Sequence, residues 1–164
     1  MTRGKGKLYF SDQACWFSSQ RSVSMAAMHP EPAAVMAEQP ALHIVLVEPL
    51  IPPNTGTVGR LALAAGARLP LVEPLGFDID DKAVRRAGLD YWKNVDLIVH
   101  KDVKQWFEET KSRRILWFSS HGKVRYDRIE YRGDEVLVFG GETKGLPEWI
   151  REQFADEMVY LPID

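Results

Sequence analysis

The segment HIVLVEPLIPPNTGTVGR at positions 43–60 decides the fold, together with VLVFGGETKGLP at positions 136–147. Each segment begins with an apolar run typical of a buried parallel strand, continues through a glycine-containing loop and enters a helical pattern. Glycine lets a backbone approach a ligand closely, and ligands of open α/β sheets bind at the carboxyl ends of strands. We therefore expect the two loops to form one ligand-binding site together.

The same alternation of short strands and helices continues through the rest of the chain. Asn54 or Thr55 would cap the first helix, and Pro70 would mark a strand start or an edge strand. Short connections between alternating elements predict an α/β fold, with a mostly parallel sheet covered by helices on both faces. We predict strands at 43–47, 69–73, 95–99, 114–119, 135–139 and 158–161, and helices at 57–67, 80–88, 103–110 and 147–154.

The composition is typical of an ordinary globular domain. The chain has 164 residues, 45% of them hydrophobic, and a net charge of -2, so any nucleic-acid contact must come from a local basic cluster. A single cysteine, Cys15, excludes an internal disulfide, and no apolar stretch approaches the roughly 18 residues of a membrane span. The four histidines and the cysteine show no metal-ligand spacing, so we expect no metal and no membrane contact.

Residues 1–40 differ from the rest of the sequence, because neither a helical nor a strand period persists there and three prolines follow residue 29. No apolar run of a secretory signal is present, and the Ser-rich composition makes only a weak case for a transit peptide. We expect residues 1–40 to be a disordered or non-native extension, with the true start at Met25, Met28 or Met36 in the second case. Residues 41–164 would form the folded domain.

Several common enzyme classes lack their motifs in this chain. There is no Gly-x-x-x-x-Gly-Lys-Ser/Thr and no Gly-x-Gly-x-x-Gly after the first strand, which disfavours nucleotide hydrolases and dinucleotide oxidoreductases. The Gly-x-Ser-x-Gly elbow of serine hydrolases is also absent. Ser119, Ser120 and His121 are adjacent, but we expect neighbours at a strand end not to point at one another, which disfavours a catalytic triad.

Four segments in one order are similar to a known family. They are EPLIPPNTGTVGR at 48–60, EPLGF at 73–77, RRAGLDYW at 85–92 and FGGETKGLP at 139–147. Together they closely resemble the TrmL (YibK-like) branch of the SPOUT superfamily, the tRNA (cytidine(34)-2'-O)-methyltransferases. The resemblance runs from about residue 42 to residue 164.

This resemblance implies a specific activity. Family members transfer a methyl group from S-adenosyl-L-methionine to the ribose 2'-hydroxyl of the wobble nucleotide, position 34 of tRNA. The resemblance also implies a C-terminal trefoil knot, a homodimer with the site near the subunit interface, contact with the tRNA anticodon stem-loop, and a cytoplasmic location.

By motif position, the resemblance implies that five residues hold the cofactor, largely through backbone groups. N–H and C=O groups at strand ends can read an adenine ring, and glycine leaves room for it. For the glutamate among them a second interpretation stays open, in which its carboxylate bonds backbone amides of its own loop. The five residues are Phe118, Gly140, Glu142, Gly145 and Leu161.

The resemblance also implies that Asn54 and Arg60 are the polar residues of the catalytic machinery. The sulfonium is a good leaving group, so the protein mainly has to align the 2'-oxygen with the methyl carbon. Arginine is a poor proton acceptor because its pKa exceeds about 12. We therefore assign Arg60 to holding the target phosphate or polarising the hydroxyl, with a solvated helix residue as the alternative.

RNA contact would rely on a local basic cluster beside aromatic side chains that can stack on unpaired bases. A solvated helix face with buried aromatic rings is the alternative interpretation. A second basic stretch at 111–114 is more typical of charges that flank a strand. The residues of the first cluster are Lys82, Arg85, Arg86, Tyr91, Trp92 and Lys93.

The end of the chain departs from the family pattern. It stops at Asp164, where relatives continue through an Arg-Ser-x-Asn-Leu segment and a final helix that complete the knot and the cofactor pocket. We therefore expect that the chain is cut short. We also expect it to be unstable or to bind the cofactor weakly until such a segment is added. Two other functions stay open: a 2'-O-methyltransferase for ribosomal RNA, and a non-catalytic RNA-binding remnant of the fold.

Overall fold

The domain is built on one sheet in which every neighbouring pair of strands is parallel. The computed structural model describes residues 41–79 and 89–163. Within them the strands are β1 (His43–Val47), β2 (Leu69–Val72), β3 (Leu97–His100), β4 (Ile115–Phe118), β5 (Val124–Arg125), β6 (Val136–Gly140) and β7 (Val159–Tyr160). Their order across the sheet is β3-β2-β1-β6-β4-β7-β5. This architecture confirms the predicted α/β class.

Helices connect these strands. The α-helices of the described residues are α1 (Pro52–Ala64), α2 (Val103–Thr110) and α3 (Glu148–Gln153), and two 3-10 helices span Leu89–Asn94 and Tyr126–Arg128. Helix α2 has the predicted bounds, and the Asp102 carboxylate caps it by accepting hydrogen bonds from the amides of Lys104 and Gln105. The helix predicted at 80–88 lies outside the described residues.

Helix α1 begins earlier than predicted, at Pro52 instead of Thr57, and ends at Ala64. The N-cap residue is Ile51, which makes no side-chain cap hydrogen bond, so the predicted cap at Asn54 or Thr55 is wrong. Pro52 and Pro53 explain the difference. Proline already has a helical φ and has no N–H group to leave unbonded in the first turn, so the helix starts without a polar cap.

The sheet buries both of its faces, as the prediction required. Successive residues of β1 alternate between two hydrophobic clusters: Val45 and Val47 belong to one, and Ile44 belongs to the other. The first cluster includes residues of α2 and α3, among them Trp106 and Ile150. The second includes Ala62 of α1. Side chains along a strand point to opposite faces, so these two clusters are the two layers of the core.

The predicted strands differ from the observed ones in some bounds and in one missing strand. Pro70 is the second residue of β2, which pairs with both β1 and β3, so of its two predicted positions the strand start is confirmed and the edge strand is excluded. Strand β5 was not predicted, because two residues carry no readable period. β3 starts two residues after the predicted position, and β7 is limited to Val159 and Tyr160.

β7 lies between β4 and β5 in the sheet, although β4 and β5 are consecutive along the chain. The connection at 119–123 therefore crosses β7. Gly122 makes this crossing feasible, because a Cβ there would lie 2.5 Å from the carbonyl carbon of Val159. Such a crossing is compatible with the predicted trefoil knot, which stays a prediction.

Candidate functional site

A cleft of about 670 Å³ opens where β4, β6 and β7 end. These strands are parallel, so their carboxyl ends meet at one edge of the sheet, where α/β proteins bind ligands. The loops that follow the three strands form the walls. The described lining residues are Phe118, Ser119, Ser120, His121, Phe139, Gly140, Gly141, Glu142, Thr143, Lys144, Gly145, Leu146, Arg151, Tyr160, Leu161, Pro162 and Ile163.

All five predicted cofactor residues line this one cleft, although they come from three separate loops. Phe118 ends β4, Leu161 follows β7, Gly140 ends β6, and Glu142 and Gly145 lie in the loop after β6. The Phe118 and Phe139 rings stack with their centroids 4.6 Å apart and form an apolar part of the wall. The binding role of the five residues stays a prediction.

Two glycines shape the loop after β6. A Cβ on Gly140 would lie 2.1 Å from the carbonyl carbon of Gly145, so only glycine lets the loop fold back this closely. Gly145 has φ of +68°, a conformation that other residues rarely adopt. The Gly145 amide donates to the carbonyl of Gly141 at 2.8 Å, which closes the turn.

The Glu142 carboxylate joins this loop to the start of α1. It accepts hydrogen bonds from the amides of Leu50 at 2.8 Å and Ile51 at 3.2 Å, and from Nδ2 of Asn54 at 3.1 Å. The open interpretation in which Glu142 bonds amides of its own loop is therefore incomplete. Its main partners belong to the other glycine-containing loop, 88 to 92 residues away.

These hydrogen bonds also set the charge of Glu142. Burial raises the pKa of its carboxyl group, but the donors from Leu50, from its own amide, from Asn54 and from Ile51 outweigh burial and hold the pKa below its ordinary value. The carboxylate is therefore ionised at neutral pH and already committed to donors of the protein. It links the two loops as a structural tie.

The structure separates the two predicted catalytic residues. Asn54 uses its amide to hold Glu142. Arg60 is exposed, does not line the cleft and forms no hydrogen bond or ion pair within the described ranges. The two residues lie six positions apart on α1, which places them about 9 Å apart along the axis and about 120° apart around it.

The predicted RNA-binding cluster is only partly described. Lys82, Arg85 and Arg86 lie outside the described residues. Tyr91 is 49% exposed, so its ring is available for stacking. Trp92 packs against the second hydrophobic cluster, and a Cβ on Gly59 would meet its ring at 2.6 Å, which favours the alternative interpretation of a buried ring at this position.

The second basic stretch is occupied with local contacts, as the sequence indicated. Arg113 donates to the carbonyls of Ala41 and Asp134 and contacts the His43 ring. Arg114 pairs with Glu135 at 3.0 Å, and Lys111 pairs with its own helix. These three cations anchor the ends of strands and helices.

One expectation about sequence neighbours was wrong. Ser120 Oγ lies 3.3 Å from Nδ1 of His121, and Ser119 Oγ accepts from the His121 amide at 3.2 Å. Adjacent residues can meet here because they lie in a tight turn after β4, where the amide of Gly122 donates to the carbonyl of Ser119. No carboxylate of the described residues pairs with His121, so these contacts do not complete a triad.

No helix within residues 41–79 and 89–163 is long and apolar enough to cross a membrane. The same residues contain no group of three or more His, Cys, Asp or Glu side chains placed to hold a metal ion.

The parallel sheet, with its cleft at the carboxyl ends of β4, β6 and β7, is the architecture of SPOUT methyltransferases. The sequence profile of the SpoU rRNA methylase family matches residues 41–164, and the chain belongs to this family. The match covers the whole described domain and confirms the predicted superfamily.

Individual relatives agree with this membership. A protein of Methylovorus glucosotrophus named tRNA (cytidine(34)-2'-O)-methyltransferase is 45% identical over 121 residues, which are 73% of this chain and 79% of the relative. A solved structure concerned with 2-OH methylation of C/U34 on tRNA is 37% identical with a TM-score of 0.70, over 74% of this chain and 80% of that chain. An AdoMet-bound rRNA methyltransferase of Sinorhizobium meliloti shares the fold. Its TM-score is 0.68 at 22% identity, over 77% of this chain and 49% of that chain. The predicted resemblance to the tRNA (cytidine(34)-2'-O)-methyltransferases is thereby confirmed.

Proposed function

We propose that this protein is an S-adenosyl-L-methionine-dependent methyltransferase that modifies the ribose 2'-hydroxyl of the wobble nucleotide, position 34, of tRNA. The observation that carries the proposal is 45% identity over 121 residues to a relative of that name, which covers 79% of the relative. The positions of Phe118, Gly140, Glu142, Gly145 and Leu161 around one cleft support it independently.

The cleft fits the cofactor in size and chemistry. Its volume of about 670 Å³ lies within the range of small-molecule sites. The Phe118 and Phe139 rings offer an apolar wall to a purine, and Gly140 leaves the adjoining backbone open. The amides of Thr143 and Lys144 donate no hydrogen bond to any residue within 41–79 or 89–163, so they can serve a ligand.

The chain's own residues would contribute mainly alignment. The bound cofactor supplies the activated methyl group. Glu142 keeps the loop that carries Gly140 fixed to the start of α1, so the cleft is formed before a ligand enters. Asn54 then acts as a positioning residue that holds Glu142, and not as a group that contacts the substrate. Preorganisation of this kind lowers the entropic part of the barrier to methyl transfer.

Arg60 would act on the substrate across a subunit interface. A homodimer is part of the proposal, and exposed apolar side chains at the start of α1 (Leu50 and Ile51) and next to Arg60 in the chain (Leu61) support a contact surface along this helix. In such a dimer, Arg60 of one protomer would hold the anticodon stem-loop phosphate near the cleft of its partner. Tyr91 would stack on an unpaired base, and the protein would act in the cytoplasm.

Complementation between two variants tests whether Arg60 of one protomer acts at the cleft of its partner. We expect R60A and E142A to be weakly active alone, while a refolded one-to-one mixture regains about a quarter of the wild-type rate, because half of the dimers carry one intact site. Sedimentation should show a dimer for both variants. A mixture no more active than its components would contradict action across the interface.

The function itself is tested by methyl transfer with labelled S-adenosyl-L-methionine and three RNA substrates: total tRNA, an anticodon stem-loop and ribosomal RNA. Incorporation into tRNA supports the proposal. Incorporation only into ribosomal RNA would favour the alternative that the family description suggests. RNA binding without cofactor binding or methyl transfer would favour a non-catalytic remnant.

A further inference from the structure

Two cations of the cleft have no role in the proposed function. Lys144 lies in the loop after β6 and Arg151 lies in α3, and both line the cleft. Neither forms an ion pair or a side-chain hydrogen bond with any described residue. Glu148, three residues before Arg151 on α3, does not pair with it either. Elsewhere in the domain, arginines such as Arg68 and Arg114 are paired with carboxylates.

The cleft has no free acid to neutralise these cations. Glu142 is the sole carboxylate among the described lining residues. Its two oxygens are occupied by the amides of Leu50 and Ile51 and by Asn54. The three donors hold the carboxylate at the start of α1, where its oxygens are already bonded. Glu142 therefore forms no ion pair with Lys144 or Arg151, and the rim of the cleft at these two residues is positively charged.

Backbone donors add to this charge. The amides of Thr143 and Lys144 have no acceptor among residues 41–79 and 89–163, and they lie in the tight turn closed by Gly141 and Gly145. Consecutive free N–H groups in a turn are a common way to bind an anion. We infer that Lys144, Arg151 and the 143–144 amides form an anion-binding subsite at the rim of the cleft, which takes a carboxylate or phosphate group.

This subsite fits an oxyanion better than a neutral group. Arginine offers several N–H donors in a planar fork that matches carboxylate and phosphate geometry, and lysine adds a strong point charge. The inference rests on the proposed function, because that reaction brings two such anions to the cleft. They are the carboxylate of the cofactor's amino-acid moiety and a backbone phosphate of the RNA.

The test compares the double variant K144Q/R151Q with the wild-type chain and with K101Q/K104Q. The control pair also removes two exposed lysines without ion pairs among the described residues, but neither lines the cleft. Calorimetry measures the Kd of S-adenosyl-L-methionine and of 5'-methylthioadenosine, which lacks the carboxylate. Fluorescence anisotropy measures the Kd of an anticodon stem-loop as a function of NaCl concentration.

The two anion sources predict different results. If the subsite holds the cofactor carboxylate, K144Q/R151Q raises the Kd of S-adenosyl-L-methionine at least about tenfold and leaves that of 5'-methylthioadenosine within about twofold. If it holds an RNA phosphate, the Kd of the cofactor is unchanged. The stem-loop then binds at least about tenfold more weakly, and the slope of log K against log salt falls by about one.

Affinities of K144Q/R151Q equal to those of K101Q/K104Q for every ligand would overturn the inference, while wild-type methyl transfer would still uphold the proposed function. The converse result is also distinguishable. A wild-type chain that methylates nothing but binds the stem-loop through Lys144 and Arg151 would refute the function and keep the subsite. A wild type that binds neither ligand nor inorganic pyrophosphate would refute both.

Discussion

A glutamate lies at each end of the parallel strands, and each accepts from two backbone amides and one side chain, but the two glutamates have different roles. At the carboxyl edge, Glu142 accepts from two amides and from Asn54. At the amino edge, Glu135 accepts from the amides of Arg132 and Gly133 and from Nη1 of Arg114. Glu135 is 1% exposed, whereas Glu142 is an exposed residue.

The difference lies in what each carboxylate connects. The amides bound by Glu135 are two and three residues away, so this buried carboxylate closes a local turn and pairs with the partly exposed Arg114. Glu142 connects loops 88 to 92 residues apart and leaves the cleft open beside it. We infer that Glu135 contributes to stability and Glu142 to the shape of the site.

The largest expected effect is a loss of stability in E135A. Removal of the carboxylate leaves the amides of Arg132 and Gly133 without this acceptor and Arg114 without its partner, which costs about 3 kcal/mol of the free energy of unfolding. This value is the low end of the cost of removing one partner from a buried ion pair, because Arg114 is partly exposed. Urea denaturation measures the change, with E130A as the matched control.

The comparison also requires E135A to leave the site intact. Under conditions where the variant is folded, its Kd for S-adenosyl-L-methionine should equal that of the wild type. A loss of cofactor affinity in folded E135A would show that the amino edge shapes the cleft as well, and the contrast between the two glutamates would then be wrong.

The second effect is a loss of activity in E142A. Without the carboxylate the loop after β6 is no longer tied to the start of α1, and we expect kcat/KM for methyl transfer to fall at least about tenfold. Stability should fall by only about 1 kcal/mol, because the exposed carboxylate is well solvated. E152A, an exposed glutamate of α3 outside the cleft, is the control. Equal losses in both variants would remove any special role of Glu142.

The third effect is a dependence of stability on acid pH. At both glutamates burial raises the pKa of the carboxyl group, but hydrogen bonds from amides outweigh it, with Asn54 helping at Glu142 and Arg114 at Glu135, so each pKa is lowered. A lowered folded-state pKa gives stabilisation that is complete above the unfolded value of about 4.3 and is lost as pH falls through the folded value. We expect unfolding free energies to drop below about pH 4.3.

Glutamine variants check this assignment. E135Q and E142Q should each show a smaller drop between pH 6 and pH 3 than the wild-type chain, and E135Q/E142Q the smallest, since glutamine does not titrate over this range. Urea denaturation at a series of pH values measures this drop in the free energy of unfolding. A wild-type drop that persists in the double variant would assign the acid sensitivity to other groups.

The smallest effect concerns the buried hydroxyl of Thr55. Thr55 is fully buried in α1 and its hydroxyl has no hydrogen bond with the described residues. T55V keeps the shape and removes the unsatisfied group, so the free energy of unfolding should stay constant or rise by up to about 1 kcal/mol. T57V is the contrast, because its hydroxyl donates to the carbonyl of Pro53 and its loss should be mildly destabilising. Clear destabilisation by T55V would mean that its hydroxyl has a partner.

Local sequence was sufficient for the parts of the fold that depend on local periodicity. The strand at His43–Val47 and the helix at Val103–Thr110 were predicted with the observed bounds, because an apolar run and an amphipathic period identify them. The five cleft residues were predicted through motif resemblance, and parallel strands carry them to one edge.

The sequence could not reveal contacts that depend on folding. Glu142 finds its donors about 90 residues away, and Trp92 packs on Gly59 from another element. The unpaired state of Lys144 and Arg151 is visible only when the position of every neighbouring acid is known. Helix α1 was misjudged for a local reason, since two prolines replaced the polar cap that the prediction assumed.

The most direct test of the proposed function is mass-spectrometric mapping of a tRNA incubated with this protein and S-adenosyl-L-methionine, beside the same tRNA with a 2'-deoxyribose at position 34. We predict one added methyl group on the ribose of nucleotide 34, and no product from the deoxy substrate. A methyl group on a base, at another nucleotide, or on the deoxy substrate would contradict it.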